Sequence, residues 1–203
     1  MCLEINVRCH FRESSAPIRE YLDVGSARSA FEKGPTMSHV IVRVWVSRLK
    51  KTSPGHASLA IRPQAADAQE GYVSFAPIKS GSVYGPGMFY SLAHDLNEYD
   101  KPTDDGARGC WIGKIFGLDT DKMMKAFSQN NHTQVYSLFN ECASQVHKYL
   151  EIGGGDKFAS RWSRNALVCW SPDDVEDYAR SIVAETSKLG STGQKVIGAG
   201  SGF

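Results

Sequence analysis

The stretch that most constrains the fold lies between Asn140 and a run of glycines. Cys142, Val146 and Leu150 recur at four-residue spacing, so they share one face of a helix, and that face is expected to turn inward. Asn140 is a favourable N-cap, and Gly153–Gly155 supply the left-handed stop that commonly ends a helix. The sequence therefore predicts a helix that begins close to Cys142 and buries its cysteine-bearing face.

Cys142 is predicted at a position where a helix can activate a thiol. The first turn of a helix leaves backbone N–H groups unpaired, and the helix dipole there favours an anion. A thiolate, which is the nucleophilic form of cysteine, is stabilised in such surroundings. The alternative is a buried core cysteine, since free cysteine is among the most buried residue types. Taken alone, the helix favours the interpretation of Cys142 as a buried core cysteine.

The composition excludes several functional classes. The 203-residue chain suits one domain with a sizeable core, and its net charge of +1 offers no strong field for nucleic acid or an anionic membrane. No apolar run is long enough to span a bilayer. The five cysteines lack paired C-x-x-C spacing, so neither a metal site nor a disulfide framework is predicted, and no cofactor is expected. Residues 1–10 do not form an ordinary secretory signal.

A predicted hairpin brings a histidine and a serine together. Residues 38–49 alternate valine with other side chains and form the clearest strand. Further strands are predicted at His56–Ile61 and Tyr72–Ala76, on either side of a polar loop. With this loop folded about residue 65, His56 lies opposite Ser74, where cross-strand side chains can touch. A slip of one residue would send the two side chains to opposite faces.

The later part of the chain adds helices to these strands. Residues 78–109, rich in Gly, Ser, Pro and Asp, predict a long solvated loop that could serve as a lid or substrate rim. A short strand is predicted at Cys110–Phe116. Helices are expected to begin at Asp119 and at Ser171, which are good N-caps followed by acidic side chains. The sum of these elements is an α+β fold.

Four short motifs occur in an order that one enzyme family shares. They are Gly55-His56-Ala-Ser-Leu-Ala-Ile61, Tyr72-Val-Ser-Phe-Ala-Pro77, Gly117-Leu-Asp119, and the stretch from Tyr136 through Asn140-Glu-Cys142-Ala-Ser-Gln-Val146 to Leu150 and Gly153-Gly154. In this order the chain resembles the circularly permuted NlpC-type branch of papain-like cysteine hydrolases. That branch includes the lecithin:retinol acyltransferase-like enzymes and effector toxins of type VI secretion and polymorphic-toxin systems. The resemblance implies a papain-like fold, with an antiparallel β-sheet packed against helices and the histidine strand before the cysteine helix.

The resemblance also sets the expected domain limits. The papain-like catalytic domain is predicted over residues 37–189. Residues 1–36 are interpreted as an N-terminal extension. Residues 190–203 are rich in glycine and serine and are interpreted as a flexible tail.

By resemblance, three residues form the catalytic site. Cys142 is the nucleophile that attacks a carbonyl and gives a covalent acyl-enzyme. His56 takes the thiol proton and later protonates the leaving group, and Ser74 fixes the tautomer of the imidazole. Asp67 and Glu70 are weaker substitutes for Ser74.

Structural alternatives remain for each of these residues. His56 could be a satisfied histidine at a strand end, and Ser74 an ordinary strand serine. Cys110, with His132 further along the chain, forms a second Cys/His pair, although Cys110 is predicted to begin a strand instead of a helix.

The resemblance implies a cysteine hydrolase that cleaves an amide bond, with peptidoglycan stem peptides as the first substrate class. It further implies an effector made in the bacterial cytoplasm, secreted without a classical signal peptide and delivered into rival or host cells. Its partners would then include a secretion machine and an immunity protein. An acyltransferase, a lipid deacylase or a protein deamidase could use the same pair of residues. A non-catalytic binding module on the same fold is the alternative outside enzymes.

Overall fold

The computed structural model describes residues 37–45, 55–64, 68–79, 82, 84–99, 109–130, 133–137, 140–160 and 170–197. All of them belong to one compact unit, residues 34–203. The predicted N-terminal extension at residues 1–36 lies outside the described residues.

Within these ranges the chain forms eight strands and four α-helices, besides two short 3-10 helices. In chain order they are β1 (His39–Trp45), β2 (His56–Arg62), β3 (Gly71–Val73), β4 (Phe75–Pro77), β5 (Gly85–Phe89), α1 (Leu92–Tyr99), β6 (Gly109–Phe116), α2 (Thr120–Ser128), β7 (Thr133–Tyr136), α3 (Cys142–Ile152), α4 (Pro172–Glu185) and β8 (Thr192–Ile197).

Strand β1 is the centre of a five-stranded antiparallel sheet with the order β3-β2-β1-β6-β8. Its alternating valines, Val40, Val42 and Val44, are completely buried. They share a hydrophobic core with side chains of α3 and α4, among them Val146 and Ile182. The predicted α+β class, an antiparallel sheet packed against helices, is therefore confirmed. None of the described helices is long and apolar enough to cross a membrane.

The strand predicted at Tyr72–Ala76 is divided between two sheets. Its first part, β3, pairs with β2, and its second part, β4, pairs with β5 in a separate sheet of order β4-β5-β7. The division falls at Ser74, whose carbonyl oxygen accepts a hydrogen bond from the backbone N–H of Tyr90 at 2.8 Å. Ser74 thus sits where the chain passes from one sheet to the other.

The prediction of a solvated loop at residues 78–109 is wrong for much of that range. Strand β5 and helix α1 both lie within it. Asp95, which begins the acidic run, is completely buried. It is buried because the hydroxyls of Tyr72 and Ser74 bind its carboxylate, which compensates the loss of water.

The prediction of a flexible tail at residues 190–203 is wrong for Thr192–Ile197. These residues form β8, which pairs with β6 along its whole length. The glycine within β8 has a packing reason, because a Cβ on Gly193 would lie 2.8 Å from Cζ2 of Trp111. Glycine at this position lets the strand approach the indole closely.

The three predicted helices are confirmed. Asp119 caps α2 and accepts a hydrogen bond from the backbone N–H of Lys122 at 3.0 Å. Ser171 caps α4 in a reciprocal capping box with Asp174. Helix α3 begins at Cys142, but its N-cap is Glu141 and not Asn140. The Asn140 amide is used elsewhere, because it donates to the carbonyl oxygen of Val135 at 2.7 Å.

Candidate active site

Helix α3 carries Cys142 at its first position, and 5% of this residue is exposed. Glu141, the N-cap, has an extended backbone and makes no side-chain capping hydrogen bond. The first-turn N–H groups of α3 are therefore not capped by the side chain of that residue. Such groups attract negative charge, both through hydrogen bonding and through the helix dipole. The position therefore suits a thiolate.

His56 begins β2 and is almost completely buried, with 2% of its surface exposed. Its Nε2 lies 3.0 Å from Oγ of Ser74 and 3.3 Å from Oδ2 of Asp95. The same ring also interacts with Cys142, which is among the groups that raise the pKa of the imidazole. Since Nε2 is already occupied, Nδ1 is the nitrogen that remains for the thiol. The histidine thus connects Cys142 on one side with Ser74 and Asp95 on the other.

The electrostatics of His56 favour its charged form. Burial alone would lower the pKa of the imidazole, since it removes water from a cation. The negative charge of Cys142 and the hydrogen bonds to Asp95 and Cys142 outweigh burial and raise the pKa of His56 to about 9. At neutral pH His56 is therefore expected as imidazolium, the form that can pair with a thiolate.

Asp95 supplies a buried carboxylate that holds the histidine. Its Oδ1 accepts a hydrogen bond from the Ser74 hydroxyl at 2.9 Å, and its Oδ2 accepts one from the Tyr72 hydroxyl at 2.8 Å. The Nε2–H of His56 is shared between Oδ2 of Asp95 and Oγ of Ser74. This arrangement fixes the proton on Nε2 and leaves Nδ1 free to exchange a proton with the thiol.

Ser74, the predicted orienting residue, is brought to the histidine, but it shares this position with Asp95. The sequence interpretation missed Asp95 because it lies in a polar stretch. A signal was present, since Leu92, Asp95, Leu96 and Tyr99 have the spacing of one helix face. Glu70, the substitute considered for Ser74, is exposed and pairs with Nε of Arg62 at 3.2 Å. Asp67 lies outside the described residues.

Aromatic side chains fix the plane of the imidazole. The ring of Tyr99 is stacked on His56, with centroids 4.2 Å apart and an angle of 8° between the planes. Trp45, which is completely buried, lies 5.5 Å from both rings. Tyr99 and Asp95 are four residues apart on α1, so one helix supplies both the stacking partner and the carboxylate. A ring held in this way has little freedom to leave the thiol.

Glu141 adds a second carboxyl beside the site. Burial raises the pKa of Glu141 to about 7, although the positive field of His56 acts in the opposite direction. The group therefore changes its charge close to neutral pH.

The geometry does not test the second Cys/His pair, of which only Cys110 lies among the described residues. Cys110 is buried on β6, and its Sγ lies 3.5 Å from the carbonyl oxygen of Trp111. His132 lies outside the described residues. Among the residues that the structure describes, no group of three or more His, Cys, Asp and Glu side chains could hold a metal ion.

The arrangement has the parts that nucleophilic catalysis requires. It offers a thiol at a helix N-terminus, a base in hydrogen-bond contact with it, and a carboxylate that orients the base. All four side chains of Cys142, His56, Ser74 and Asp95 are buried, so charges within the site interact more strongly than in water.

Comparison with known proteins shows which family the chain belongs to. No curated protein and no solved structure matches the chain. The family model of the IcsB middle domain matches residues 88–201, which is more than half of the 203 residues. The matched part includes Asp95 and Cys142, whereas His56 and Ser74 precede it. The chain therefore belongs to the IcsB middle domain family, and it is a bacterial domain of the effector type.

Proposed function

We propose that this chain is a cysteine hydrolase of the permuted, papain-like NlpC type, which cleaves an amide bond through Cys142 and His56. The observation that carries the proposal is the buried hydrogen-bonded series Asp95–His56–Cys142. A core cysteine needs no such partners, because a thiol packs as a small apolar group. A buried carboxylate and imidazole are costly to keep away from water.

In the first chemical step the Cys142 thiolate attacks the carbonyl carbon of the substrate. A carbon–sulfur bond forms, and the carbonyl electron pair moves to oxygen and gives an oxyanion. When the oxyanion collapses, the bond to the leaving nitrogen breaks. The imidazolium of His56 then donates its proton to that nitrogen, and an acyl-enzyme on Cys142 remains.

In the second step a water molecule attacks the thioester. Neutral His56 now accepts the proton of the water, and the thiolate leaves as the carboxylic acid is released. Asp95 accepts the hydrogen bond from Nε2 of His56 and so stabilises the imidazolium in both steps. The N–H groups of the first turn of α3, which the side chain of Glu141 does not cap, would bind the oxyanion, as backbone donors do in acyl-transfer enzymes.

An activated ester tests this proposal without knowledge of the substrate. The purified chain is mixed with p-nitrophenyl acetate, and the burst of nitrophenolate is measured together with the site of acetylation by mass spectrometry. We expect one acetyl group on Cys142, no burst in Cys142→Ala, and acylation slowed about 100-fold or more in His56→Ala. Cys110→Ala, which removes the other described buried thiol, is the matched control and retains the burst.

Two outcomes would overturn the proposal. One is a burst that persists in Cys142→Ala. The other is a Cys142 that is not acetylated although the chain is folded, which would favour a binding module on the same scaffold.

Acyl transfer to an acceptor other than water is the second candidate. It is favoured by the burial of the site, since only 5% of Cys142 and 2% of His56 are exposed. A site that admits little water protects a thioester from hydrolysis. The acetyl-enzyme distinguishes the two functions: in a hydrolase it decays at the same rate with or without an added amine, whereas in a transferase the amine accelerates its decay.

The substrate and setting are proposed from the sequence resemblance. Peptidoglycan stem peptides are the first substrate class, and the enzyme would act after delivery by a secretion machine into a rival or host cell. An immunity protein would protect the producing cell. Digestion of purified peptidoglycan tests the substrate: soluble fragments from the wild-type chain and none from Cys142→Ala support it, and no fragments from either directs the search to protein or lipid amides.

A further inference from the structure

The connection between β7 and α3 folds back on itself immediately before the nucleophile. Ser137 and Asn140 form an antiparallel bridge, with hydrogen bonds of 3.1 and 3.0 Å between their backbone groups. The side chain of Asn140 fastens the same turn by donating to Val135. In an antiparallel pair the next residues outward also face each other, so Tyr136 lies beside Glu141. The turn therefore brings Tyr136 alongside the N-terminus of α3.

The ring of Tyr136 is held from the other side by the strand that follows Ser74. Its centroid lies 5.8 Å from that of Phe75, which is completely buried. The ring is half-buried, and none of the described residues forms a hydrogen bond with its hydroxyl. The ring of Tyr136 is thus packed against Phe75, and its hydroxyl has no hydrogen-bond partner among the described residues.

The negative charge of Cys142 also acts on the Tyr136 hydroxyl. Burial raises the pKa of Tyr136, and the negative charges of Cys142 and Glu141 raise it further. A phenol with a raised pKa keeps its proton throughout the physiological range, so it acts as a hydrogen-bond donor.

We propose that the Tyr136 hydroxyl donates a hydrogen bond to the oxyanion that forms when Cys142 attacks the substrate carbonyl. This inference rests on the proposed function, because it needs an acyl transfer at Cys142. The proton stays on the phenol oxygen throughout, and the hydrogen bond strengthens as negative charge develops on the substrate oxygen. Tyr136 is then a catalytic residue that complements the backbone donors of α3.

The other tyrosines around the site have different roles. The hydroxyl of Tyr72 lies 2.8 Å from both Ser58 and Asp95, so it supports the carboxylate. Tyr99 is stacked face to face on His56 and positions the imidazole. Tyr136 alone combines a described hydroxyl without a hydrogen bond and a place beside the residue that precedes Cys142.

Two reagents separate this role from a general effect on the thiol. Iodoacetamide alkylates the thiolate by displacing iodide, a reaction in which no oxyanion forms. The acylation of Cys142 by p-nitrophenyl acetate passes through an oxyanion. The ratio of the two rates therefore reports on oxyanion stabilisation separately from thiolate reactivity.

The test compares the wild-type chain with Tyr136→Phe, which keeps the ring against Phe75 and removes only the hydroxyl. We expect acylation to fall about 100-fold, as for the loss of one oxyanion donor, and alkylation to stay within about twofold. Tyr84→Phe, in a tyrosine that is 71% exposed, is the matched control and changes neither rate.

Each of the other outcomes contradicts either the role of Tyr136 alone or the proposed function as well. Unchanged acylation in Tyr136→Phe overturns the role of Tyr136 and leaves the proposed function standing. An equal fall in both rates shows that the hydroxyl acts on the thiolate and not on the oxyanion, which also overturns the role. A wild-type Cys142 that the ester does not acylate removes the proposed function, and the inference with it.

Discussion

Asp95 and Ser74 both lie at Nε2 of His56, and replacing Asp95 shows which of the two orients the imidazole. In Asp95→Asn the amide nitrogen can face Ser74, whose hydroxyl can rotate and accept from it. The remaining oxygen still accepts from Tyr72 and His56, so the packing is retained while the charge is lost. The variant therefore keeps the hydrogen bond from His56 but changes its acceptor from a charged carboxylate oxygen to a neutral amide oxygen.

The size of the effect follows from that single hydrogen bond. A hydrogen bond to a charged acceptor contributes about 1.5–3 kcal/mol and one to a neutral acceptor about 0.5–1.5 kcal/mol, so the variant loses the difference of about 1–1.5 kcal/mol, which corresponds to about a 5- to 13-fold slower acylation of Cys142. Ser74→Ala removes a neutral hydroxyl that lies 3.0 Å from Nε2 of His56. A neutral hydrogen bond contributes about 0.5–1.5 kcal/mol, so this variant is expected to be about 2- to 12-fold slower, and the pH dependence of the rate distinguishes the two variants.

The assay is the rate of the nitrophenolate burst at saturating ester, measured across a range of pH. Loss of the Asp95 charge also lowers the pKa of His56, because the hydrogen bond and the charge of Asp95 both raise it. The alkaline limb of the rate profile, where the imidazolium loses its proton, therefore moves to lower pH in Asp95→Asn. Thermal unfolding of both variants verifies that they are folded. An alkaline limb that moves to lower pH in Ser74→Ala and stays in place in Asp95→Asn would refute the reasoning and make Ser74 the orienting residue.

Two further predictions concern stability. The pKa of His56 is about 9 in the folded chain, against an ordinary value of 6.5 for histidine, so its contribution to stability is complete below pH 6.5 and is lost as the pH rises through 9. The difference in unfolding free energy between the wild type and His56→Ala, from urea titrations, should shrink by up to about 3 kcal/mol over that range, and a constant difference would contradict this. In Gly193→Ala the new Cβ meets the buried Trp111 ring at 2.8 Å, which should cost about 1–3 kcal/mol and loosen β8. Faster hydrogen exchange in β8 with β1 unaffected is expected, and unchanged exchange in β8 would count against the packing argument.

The local features of the site could be predicted from the sequence. The start of α3 at Cys142 follows from apolar spacing and a glycine stop, both of which lie within a few residues. The contact between His56 and Ser74 was predicted with the wrong register, because Leu59 pairs with Val73 and the hairpin is shifted by two residues. A shift of two residues keeps side chains on the same face, and the contact survives as a diagonal neighbour.

The features that depend on distant partners could not be predicted in this way. Asp95 is buried where Tyr72, Ser74 and His56 bind it, and all three precede it by more than twenty residues in the sequence. From composition alone, an aspartate in such a polar stretch is predicted to lie in a solvated loop. Strand β8 contains a single glycine and ends on Val196 and Ile197, which favour strands, but it forms by pairing with β6, which lies far back in the sequence.

The central claim is that Cys142 and His56 form a thiolate–imidazolium pair, and the rate of iodoacetamide labelling against pH tests it most directly. Labelling sites are identified by mass spectrometry in the wild type and in His56→Ala, with Cys110 as an internal reference thiol. We expect fast labelling of Cys142 well below neutral pH, and the loss of this acid-side reactivity in His56→Ala. Labelling of Cys142 that follows the profile of an ordinary thiol, or that is indifferent to His56, would contradict the claim.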